Sequence, residues 1–419
     1  MISIMTLNIL WNSDRIIGGY SAYSKVSNQC CTRLAKLGHR VAHIPMGMAN
    51  RMGEQMYEDV LIYKSGASPW NEDIALDRYN QFNADMFIAL KETWVFNNIH
   101  KLAMNFVPYV PIDHSPVSPT MLSRLHTAFK VIVPSRFAQR ELKKAGIENV
   151  VYVPHGVDTG TYRILEGRKT DCKKQWYVDP DDFTVLMVSM NRSRKLNARQ
   201  FRIYQRFREM NPDVKSHLMF WGNMMPAGGQ GVDGAVGLGV SDVGVNLIPE
   251  VLQLGLGEAI TWPDQGMIRE GIPEWSGEDY EGGWDMVKLY NMADALLHCT
   301  GGEGFGLPLI EAQACGVPVV TTDYAGGPEQ VGVGSIVPAN DYIIINTPGV
   351  RRALPDIDKG AEALTKIMNS NPEKLAKRAR RYSMRFDWER VIDTYFKPFL
   401  EECELELYPK ITKEGVSKW

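Results

Sequence analysis

The stretch GGEGFGLPLIEAQACGVPVVTTD, from Gly301 to Asp323, decides the fold. Its start predicts a glycine-rich loop, the residues from Pro308 to Gly316 predict a helix, and the β-branched run that follows predicts a strand. Such a turn needs glycines, but it does not need acids. Because Glu303 lies in the loop and Glu311 in the helix, we interpret the stretch as a ligand site, the alternative being a capped helix with two solvated acids.

Short β runs and helical segments alternate on both sides of this stretch. Residues 2–10 and 39–46 predict strands, and residues 20–38 between them predict a helix that ends before Gly38. Alternation of this kind predicts doubly wound parallel sheets, and 419 residues are too many for one compact core. We expect an α/β protein with two Rossmann-like domains, residues 1–165 and 166–387, with a C-terminal helix of about 388–419 joined to the first domain.

Composition argues against several classes of protein. A formal net charge of -3 gives no reason to expect a nucleic-acid partner. The N-terminus has no basic region before its short apolar run, and no window approaches about 18 uncharged apolar residues. The six cysteines show no CxxC spacing. We therefore expect a cytoplasmic protein with reduced thiols, without a signal peptide or a transmembrane helix.

The loop that begins at Gly301 would place backbone N–H groups at the N-terminus of the following helix. These groups belong to Phe305, Gly306 and Leu307. Such a position favours an anion such as a diphosphate, and it lies at the sheet edge where open α/β folds bind ligands. The acid in the helix could accept hydrogen bonds from ribose hydroxyls, and the acid in the loop could face a sugar ring.

This block resembles the E-x7-E element of the retaining GT-B glycosyltransferases of family 4, and residues 311–331 continue the likeness. Other matches follow the family's order along most of the chain. Residues 18–41 are similar to its glycine loop and first helix, 131–147 and 151–163 to its interdomain region, 190–207 to its basic donor-phosphate loop, and 382–396 to its C-terminal crossover helix.

The resemblance implies two Rossmann-like domains that face a cleft, with the donor bound mainly to the second domain and the acceptor to the first. It implies that a hexose moves, with retention, from a nucleotide-diphosphate sugar of the GDP-mannose or UDP-glucose type. The acceptor would be a carbohydrate, lipid-linked or small-molecule hydroxyl. No metal and no permanently bound cofactor would be required. The base, the sugar, the acceptor and the oligomeric state stay open.

The resemblance also assigns roles to individual residues. Glu311 would bind the ribose, Glu303 the donor sugar and Lys195 the diphosphate, with Arg192 or Arg194 as the partner of Lys195. The implied catalytic residues are His114, Lys195 and Glu303, and the implied donor-binding residues are Gly18, Gly19, Arg192, Arg194, Lys195, Glu303, Gly304, Phe305, Gly306, Leu307 and Glu311.

Three other features have competing interpretations. GQGVDG, residues 229–234, matches a dinucleotide-binding pattern, but further glycines follow where that fold needs a helix, so we predict a loop. DPDD, residues 179–182, contains a metal-binding D-x-D pattern, but its position predicts a turn before a strand. The six basic residues within 374–385 predict either a solvated helix face or contact with an anionic membrane surface.

Three alternative functions stay open at this stage. One is a GT-B enzyme that hydrolyses or epimerises a nucleotide-sugar, and another is a nucleotide-sugar-binding protein without turnover. The third is an NAD-dependent oxidoreductase on the same kind of sheet.

Overall fold

The computed structural model describes residues 6–47, 53–167, 169–226, 242, 244–274, 276, 284–345 and 350–409. Two large sheets organise these residues. The N-terminal sheet has the strand order β3-β4-β2-β1-β5-β6-β7-β8 and is parallel except for the β3–β4 pair. Its strands are β1 Asn8–Ser13, β2 Arg40–Pro45, β3 Gln55–Tyr57, β4 Val60–Ile62, β5 Met86–Leu90, β6 Phe106–Tyr109, β7 Val131–Val133 and β8 Val150–Tyr152.

Three of the helices in this part of the chain begin at a serine cap. Ser21, Ser118 and Ser135 each accept a hydrogen bond from a backbone N–H in the first turn. Gly38 follows the first helix with a φ of 94°, as its predicted position just past the helix requires. The helices are α1 Ala22–Lys36, α2 Ala75–Gln81, α3 Pro119–Leu125, α4 Arg136–Lys144 and α5 Lys169–Gln175.

The second sheet is parallel and has the order β11-β10-β9-β12-β13-β14. Its strands are β9 Phe183–Val188, β10 Ser216–Trp221, β11 Ile260–Thr261, β12 Ala295–His298, β13 Val319–Thr322 and β14 Gly334–Val337. Its helices are α6 Asn197–Met210, α7 Ile248–Gln253, α8 Gln265–Glu270, α9 Met286–Asn291, α10 Leu307–Ala314, α11 Ile357–Met368 and α12 Pro372–Ser383. Two parallel sheets with helical crossovers confirm the predicted α/β class.

An antiparallel hairpin that the sequence did not predict follows the second sheet. Its strands are β15 Ala339–Ile345 and β16 Val350–Pro355. β15 is mostly exposed, whereas β16 turns Arg352 toward the first sheet. The hairpin therefore supplies a side chain to the region between the two sheets.

The C-terminal segment packs against the N-terminal sheet. It consists of α13 Trp388–Val391, a π-helical turn Ile392–Phe396 and α14 Lys397–Leu407. Phe396 lies 6.3 Å from Trp11 and 6.0 Å from Tyr109, measured between ring centroids. Lys130 Nζ lies 2.7 Å from Glu402 Oε1. The division at residue 165 stays a prediction, and the two sheets lie on either side of it.

Candidate functional site

Two loops meet where the strand order of the second sheet reverses. β9 lies between β10 and β12, so the chain turns in opposite directions after β9 and after β12. The first loop contains a 3-10 turn, Ser193–Lys195, and the second is the glycine-rich loop. The N–H of Gly301 donates to the carbonyl of Arg194 at 2.8 Å, so the two loops are joined directly. Ligands bind at such crevices in open α/β sheets.

The carboxylate of Glu303 is the centre of this crevice. Lys195 Nζ makes a short contact with its Oε1, Arg194 Nη1 lies 3.5 Å from its Oε2, and His298 Nε2 lies 3.1 Å from Oε1. Lys195, His298 and Glu303 are largely buried, with Glu303 only 7% exposed, whereas the Arg194 side chain is 33% exposed. Of the two arginines that the sequence left open, the structure therefore brings Arg194 to Glu303.

Charge and burial shift the pKa values of this cluster. Burial alone would raise the pKa of Glu303, but the cations of Lys195 and Arg194 hold it well below its ordinary value. Burial, assisted by the repulsion from Arg194, lowers the pKa of Lys195 to about 8 although Glu303 opposes this. Burial also lowers the pKa of His298. The cluster therefore contains an ionised acid beside a lysine that titrates near neutrality.

Glycines are required in this loop because the first domain passes directly over it. A Cβ on Gly302 would lie 2.3 Å from the carbonyl oxygen of Asp113, and one on Gly304 would lie 2.4 Å from Cβ of Pro111. Gly306 has a φ of 98° and caps α10, so Pro308 is the second helical residue and not the first. The Phe305 side chain points into the core, where it packs against His155 and Phe386. Phe305 can therefore contribute only its backbone to the crevice.

Asp113 connects this crevice to the first domain. Its Oδ1 lies 2.9 Å from Arg352 Nη1, and its Oδ2 lies 3.9 Å from Arg194 Nε. Burial would raise the pKa of this carboxyl, but the charge of Arg352 and the neighbouring His114 hold it far below its ordinary range. An acid of the first domain therefore shares Arg194 with Glu303 of the second.

His114 is buried, and both of its ring nitrogens have partners within the first domain. Nδ1 lies 2.9 Å from Asp113 Oδ1, and Nε2 accepts from the backbone N–H of Ser118 at 3.3 Å. Because Nε2 is an acceptor, the proton of a neutral ring lies on Nδ1. His114 reaches the Glu303 cluster only through Asp113 and Arg194, and its proposed catalytic role stays a prediction.

Glu311 lies inside α10 and meets a residue of the first domain. Lys25 Nζ, on α1, lies 3.1 Å from its Oε1, and the hydroxyl of Tyr290 donates to its Oε2 at 2.7 Å. Glu274 Oε1 lies 3.3 Å from the same ammonium group. Glu311 is thus bound by a lysine from across the cleft.

Gly18 and Gly19 lie in the loop between β1 and α1, as predicted. Gly18 has a φ of 60°, and a Cβ on Gly19 would lie 2.3 Å from Oγ of Ser24 and 2.4 Å from the carbonyl of Arg15. Both positions therefore favour glycine for local reasons. Arg192 donates to the carbonyl of Asp242, in the segment that follows β10.

Three side chains of this region were missed from the sequence. His298 could have been suspected, because it ends a strand five positions before Glu303. Lys25 and Arg352 lie on elements far from the loop along the chain, and no local pattern indicates that they reach it. Their contacts depend on how the two sheets face each other.

The remaining sequence features have different outcomes. GQGVDG lies outside the described residues. Residues 179–182 form a turn before β9, as predicted. Within the described part of the chain, no group of three or more His, Cys, Asp or Glu residues could hold a metal ion. Of the basic residues on and just after α12, Arg380 turns inward and donates to the carbonyls of Tyr162 and Thr159, while Lys374, Lys377, Arg378, Arg381 and Arg385 are exposed.

None of the described helices is long and apolar enough to cross a bilayer.

Part of the chain matches a known protein family. Residues 280–384 match the family described as glycosyl transferases group 1. A D-inositol 3-phosphate glycosyltransferase of Saccharomonospora viridis is 32% identical over 127 residues, which is 29% of this chain and 26% of the relative. A protein of the same description from Actinosynnema mirum is 28% identical over 218 residues. The chain spans 26% to 45% of the length of these two relatives.

Solved structures match nearly the whole chain. A glycosyltransferase of Rickettsia africae has a TM-score of 0.64 at 15% identity and covers 97% of this chain and 100% of its own. Anabaena HepE in complex with UDP and glucose has a TM-score of 0.63 at 16% identity, over 94% of this chain and 100% of its own. At these identities the likeness concerns the fold. The chain therefore has the GT-B fold, and its residues 280–384 are similar to the glycosyl transferases group 1 family.

Proposed function

We propose that this protein is a retaining glycosyltransferase that moves a hexose from a nucleotide-diphosphate sugar to a hydroxyl acceptor. The observation that carries the proposal is the buried Glu303–Lys195–Arg194 cluster at the N-terminal end of α10. It combines two cations, a helix N-terminus and an acid at the point where the strand order reverses. The family match of residues 280–384 supports the same activity.

Lys195 and Arg194 are the groups that would hold the donor diphosphate. Without a ligand, Glu303 and Asp113 neutralise them. A bound diphosphate would pair with both cations in place of the two acids. Backbone N–H groups at the start of α10 would donate hydrogen bonds to its oxygens. Charge on the leaving diphosphate grows as the glycosidic bond breaks, so these contacts strengthen in the transition state.

The two acids would recognise the two ends of the donor. Glu303, released from Lys195, would accept hydrogen bonds from hydroxyls of the transferred hexose. Glu311, one turn inside α10, would accept them from the ribose. In the unliganded protein the pKa of Glu303 lies well below its ordinary value, so the donor meets an ionised carboxylate that can accept these hydrogen bonds.

Retention then follows from a reaction on one face of the sugar. The acceptor hydroxyl attacks from the side that the diphosphate leaves, and a diphosphate oxygen takes the hydroxyl proton. The protein has to position the two substrates and stabilise charge, and it supplies no nucleophile. This route needs no metal, so we expect transfer to persist in excess EDTA.

A ligand screen followed by a transfer assay tests the proposal. A selective nucleoside diphosphate or nucleotide-sugar among the UDP, GDP and ADP series should raise the melting temperature by mass action. Transfer from that donor to an acceptor panel should disappear in Glu311→Ala and in Lys195→Ala. NMR of the first-formed product should show the anomeric configuration of the donor. An inverted product would contradict the single-face route.

The same assay separates the alternatives. Sugar release at an equal rate with and without acceptor would indicate a hydrolase, and an altered free donor would indicate an epimerase. Tight donor binding without any turnover would indicate a binding protein. Thermal stabilisation by NAD but by no nucleoside diphosphate would indicate an oxidoreductase.

We also propose peripheral membrane contact through the exposed basic face of α12. Its exposed cations, Lys374, Lys377, Arg378 and Arg381, would attract anionic headgroups. Co-sedimentation with phosphatidylglycerol vesicles, compared with neutral phosphatidylcholine vesicles, tests this. Equal binding to both, or to neither, would leave α12 as a solvated helix face.

A further inference from the structure

A second cluster of charges surrounds Glu311, about one turn inside α10. It consists of Lys25 from the first domain and Glu274, Glu311, Tyr162 and Tyr290, and we call it the Lys25 cluster. The mechanism proposed above uses Glu311 but gives no role to Lys25. The question is why a lysine of the first domain is bound at the acid that is proposed to read the ribose.

The hydrogen-bonding capacity of Lys25 is fully used in this cluster. Its ammonium group has three hydrogens and three acceptors: the Tyr162 hydroxyl at 2.9 Å, Glu311 Oε1 at 3.1 Å and Glu274 Oε1 at 3.3 Å. The Tyr162 hydroxyl in turn donates to Glu274 at 3.2 Å. Lys25 therefore has no hydrogen left for a further acceptor while it holds this position.

Both carboxylate oxygens of Glu311 already have a partner, and little of the side chain is accessible. Its side chain is 7% exposed, Oε2 accepts from Tyr290, and Oε1 accepts from Lys25. A ribose diol that approached this carboxylate would need one of its oxygens as an acceptor. Tyr290 belongs to the same domain as Glu311 and is fully buried, whereas Lys25 comes from across the cleft and its side chain is 20% exposed. Lys25 is therefore the partner that a ribose would replace.

Lys25 stays charged in this place. Burial would lower the pKa of Lys25, but Glu311 and Glu274 together raise it above its ordinary value. A charged ammonium group bound to two acids of the other domain is an attractive contact across the cleft. This contact between Lys25 and Glu311 is lost when the neutral diol of the ribose replaces the ammonium group at Glu311.

We propose that Lys25 competes with the nucleotide for Glu311. In the unliganded protein Lys25 binds Glu311 across the cleft, and the ribose of the donor displaces it. This inference rests on the proposed function, because it takes Glu311 as the ribose acceptor. Lys25 thereby lowers the apparent affinity for the nucleotide, since only molecules in which Glu311 has been released are competent to bind. It also makes donor binding sensitive to the relative position of the two domains.

The test compares nucleoside-diphosphate affinity in matched variants by calorimetry, with UDP and GDP as probes. Lys25→Met removes the competing charge, and we expect it to bind the preferred diphosphate about tenfold more tightly than the wild type. Lys25→Gln keeps a side chain that can donate to Tyr162 but has no charge, and it should show the same direction of change. It provides an independent measurement if Lys25→Met folds poorly.

Lys36→Met is the matched control. Lys36 lies on the same helix, is 65% exposed in its side chain and pairs only within the first domain, with Glu58 at 3.4 Å. Its replacement should leave the affinity unchanged. Unaltered nucleotide affinity in both Lys25 variants would overturn the proposal that Lys25 competes with the ribose. Weaker binding in them would overturn it too, and would make Lys25 a direct nucleotide contact.

These outcomes are separable from failure of the proposed function. If neither the wild type nor the Lys25 variants bind UDP or GDP, both inferences fail. If the wild type binds UDP or GDP and the Glu311→Ala variant does not, the ribose role of Glu311 stands. The nucleotide affinities of the Lys25 variants then test only whether Lys25 competes with the ribose.

Discussion

His298 Nε2 lies 3.1 Å from Glu303 Oε1, at the end of the strand that leads into the glycine loop. An ionised carboxylate can only accept, so Nε2 carries the hydrogen of this bond. The other ring nitrogen, Nδ1, is buried and has no partner among the described residues. Three side chains therefore hold the Glu303 carboxylate, His298 and Lys195 at Oε1 and Arg194 at Oε2.

Replacing His298 tests whether this bond positions Glu303. A hydrogen bond to a charged group contributes about 1.5–3 kcal/mol, so His298→Leu should lower kcat by about 10- to 100-fold. KM for the acceptor should change little, because His298 is not placed at the acceptor. His298→Gln retains an N–H donor and should recover most of the activity. Equal loss of stability and activity in both variants would point to a purely structural histidine.

The pKa of Lys195 predicts how donor binding depends on pH. Below about 8 the ammonium group is charged and attracts a diphosphate, and as the pH rises through that value the charge is lost. Affinity for the preferred nucleoside diphosphate should therefore fall by about tenfold between roughly pH 7 and pH 9. Calorimetry in buffers of different ionisation enthalpy should also detect proton uptake on binding near pH 8.

Lys195→Arg provides the control for this pH dependence. Arginine stays charged throughout the range, so its affinity curve should be flat. A wild-type curve that is equally flat would show that Lys195 does not titrate on donor binding.

The two arginines of the same loop should differ in importance. Arg194 faces Glu303 and Asp113, whereas Arg192 donates to the carbonyl of Asp242. Removing a cation that stabilises the leaving group costs about 10²–10³ in rate, so Arg194→Met should lose at least about tenfold more kcat/KM for the donor than Arg192→Met. Steady-state kinetics with varied donor would measure the difference. The reverse order would mean that the loop rearranges when the donor binds.

The alternation of strands and helices could be predicted from the sequence because it depends on local periodicity. Boundaries were less accurate where polar residues continue a buried strand. β1 extends through Asn12 and Ser13, beyond the predicted residues 2–10, because Asn12 donates to the carbonyl of Trp70 and Ser13 to that of Leu90. The β15–β16 hairpin was not predicted, since its exposed strand shows no alternation between a buried and a solvated face.

Most of the second-domain part of the candidate site followed from one glycine loop and one basic turn, each a continuous stretch of sequence, although His298 and Arg352 of that domain were missed. The half contributed across the cleft did not. Asp113, Lys25 and Arg352 meet their partners only because the two sheets face each other, and such contacts leave no trace in local patterns. His114 was suggested by its position after a strand, yet its nitrogens are bound to its own neighbours.

Gly304 offers a test of the contact between the two domains. A Cβ at this position would overlap Cβ of Pro111 at 2.4 Å, and the Pro111 backbone is only 3.0 Å away. Gly304→Ala should therefore push the loop from the first domain, displace the neighbouring Glu303, and destabilise the protein by about 1–3 kcal/mol. Thermal unfolding and donor KM would measure the two effects. Gly257→Ala is the control, because its Cβ would meet nothing within 4 Å and it should change stability by less than about 0.5 kcal/mol. If Gly304→Ala matched this control in both measurements, Pro111 would not press on the loop in solution, and the cleft would be wider than the structure shows.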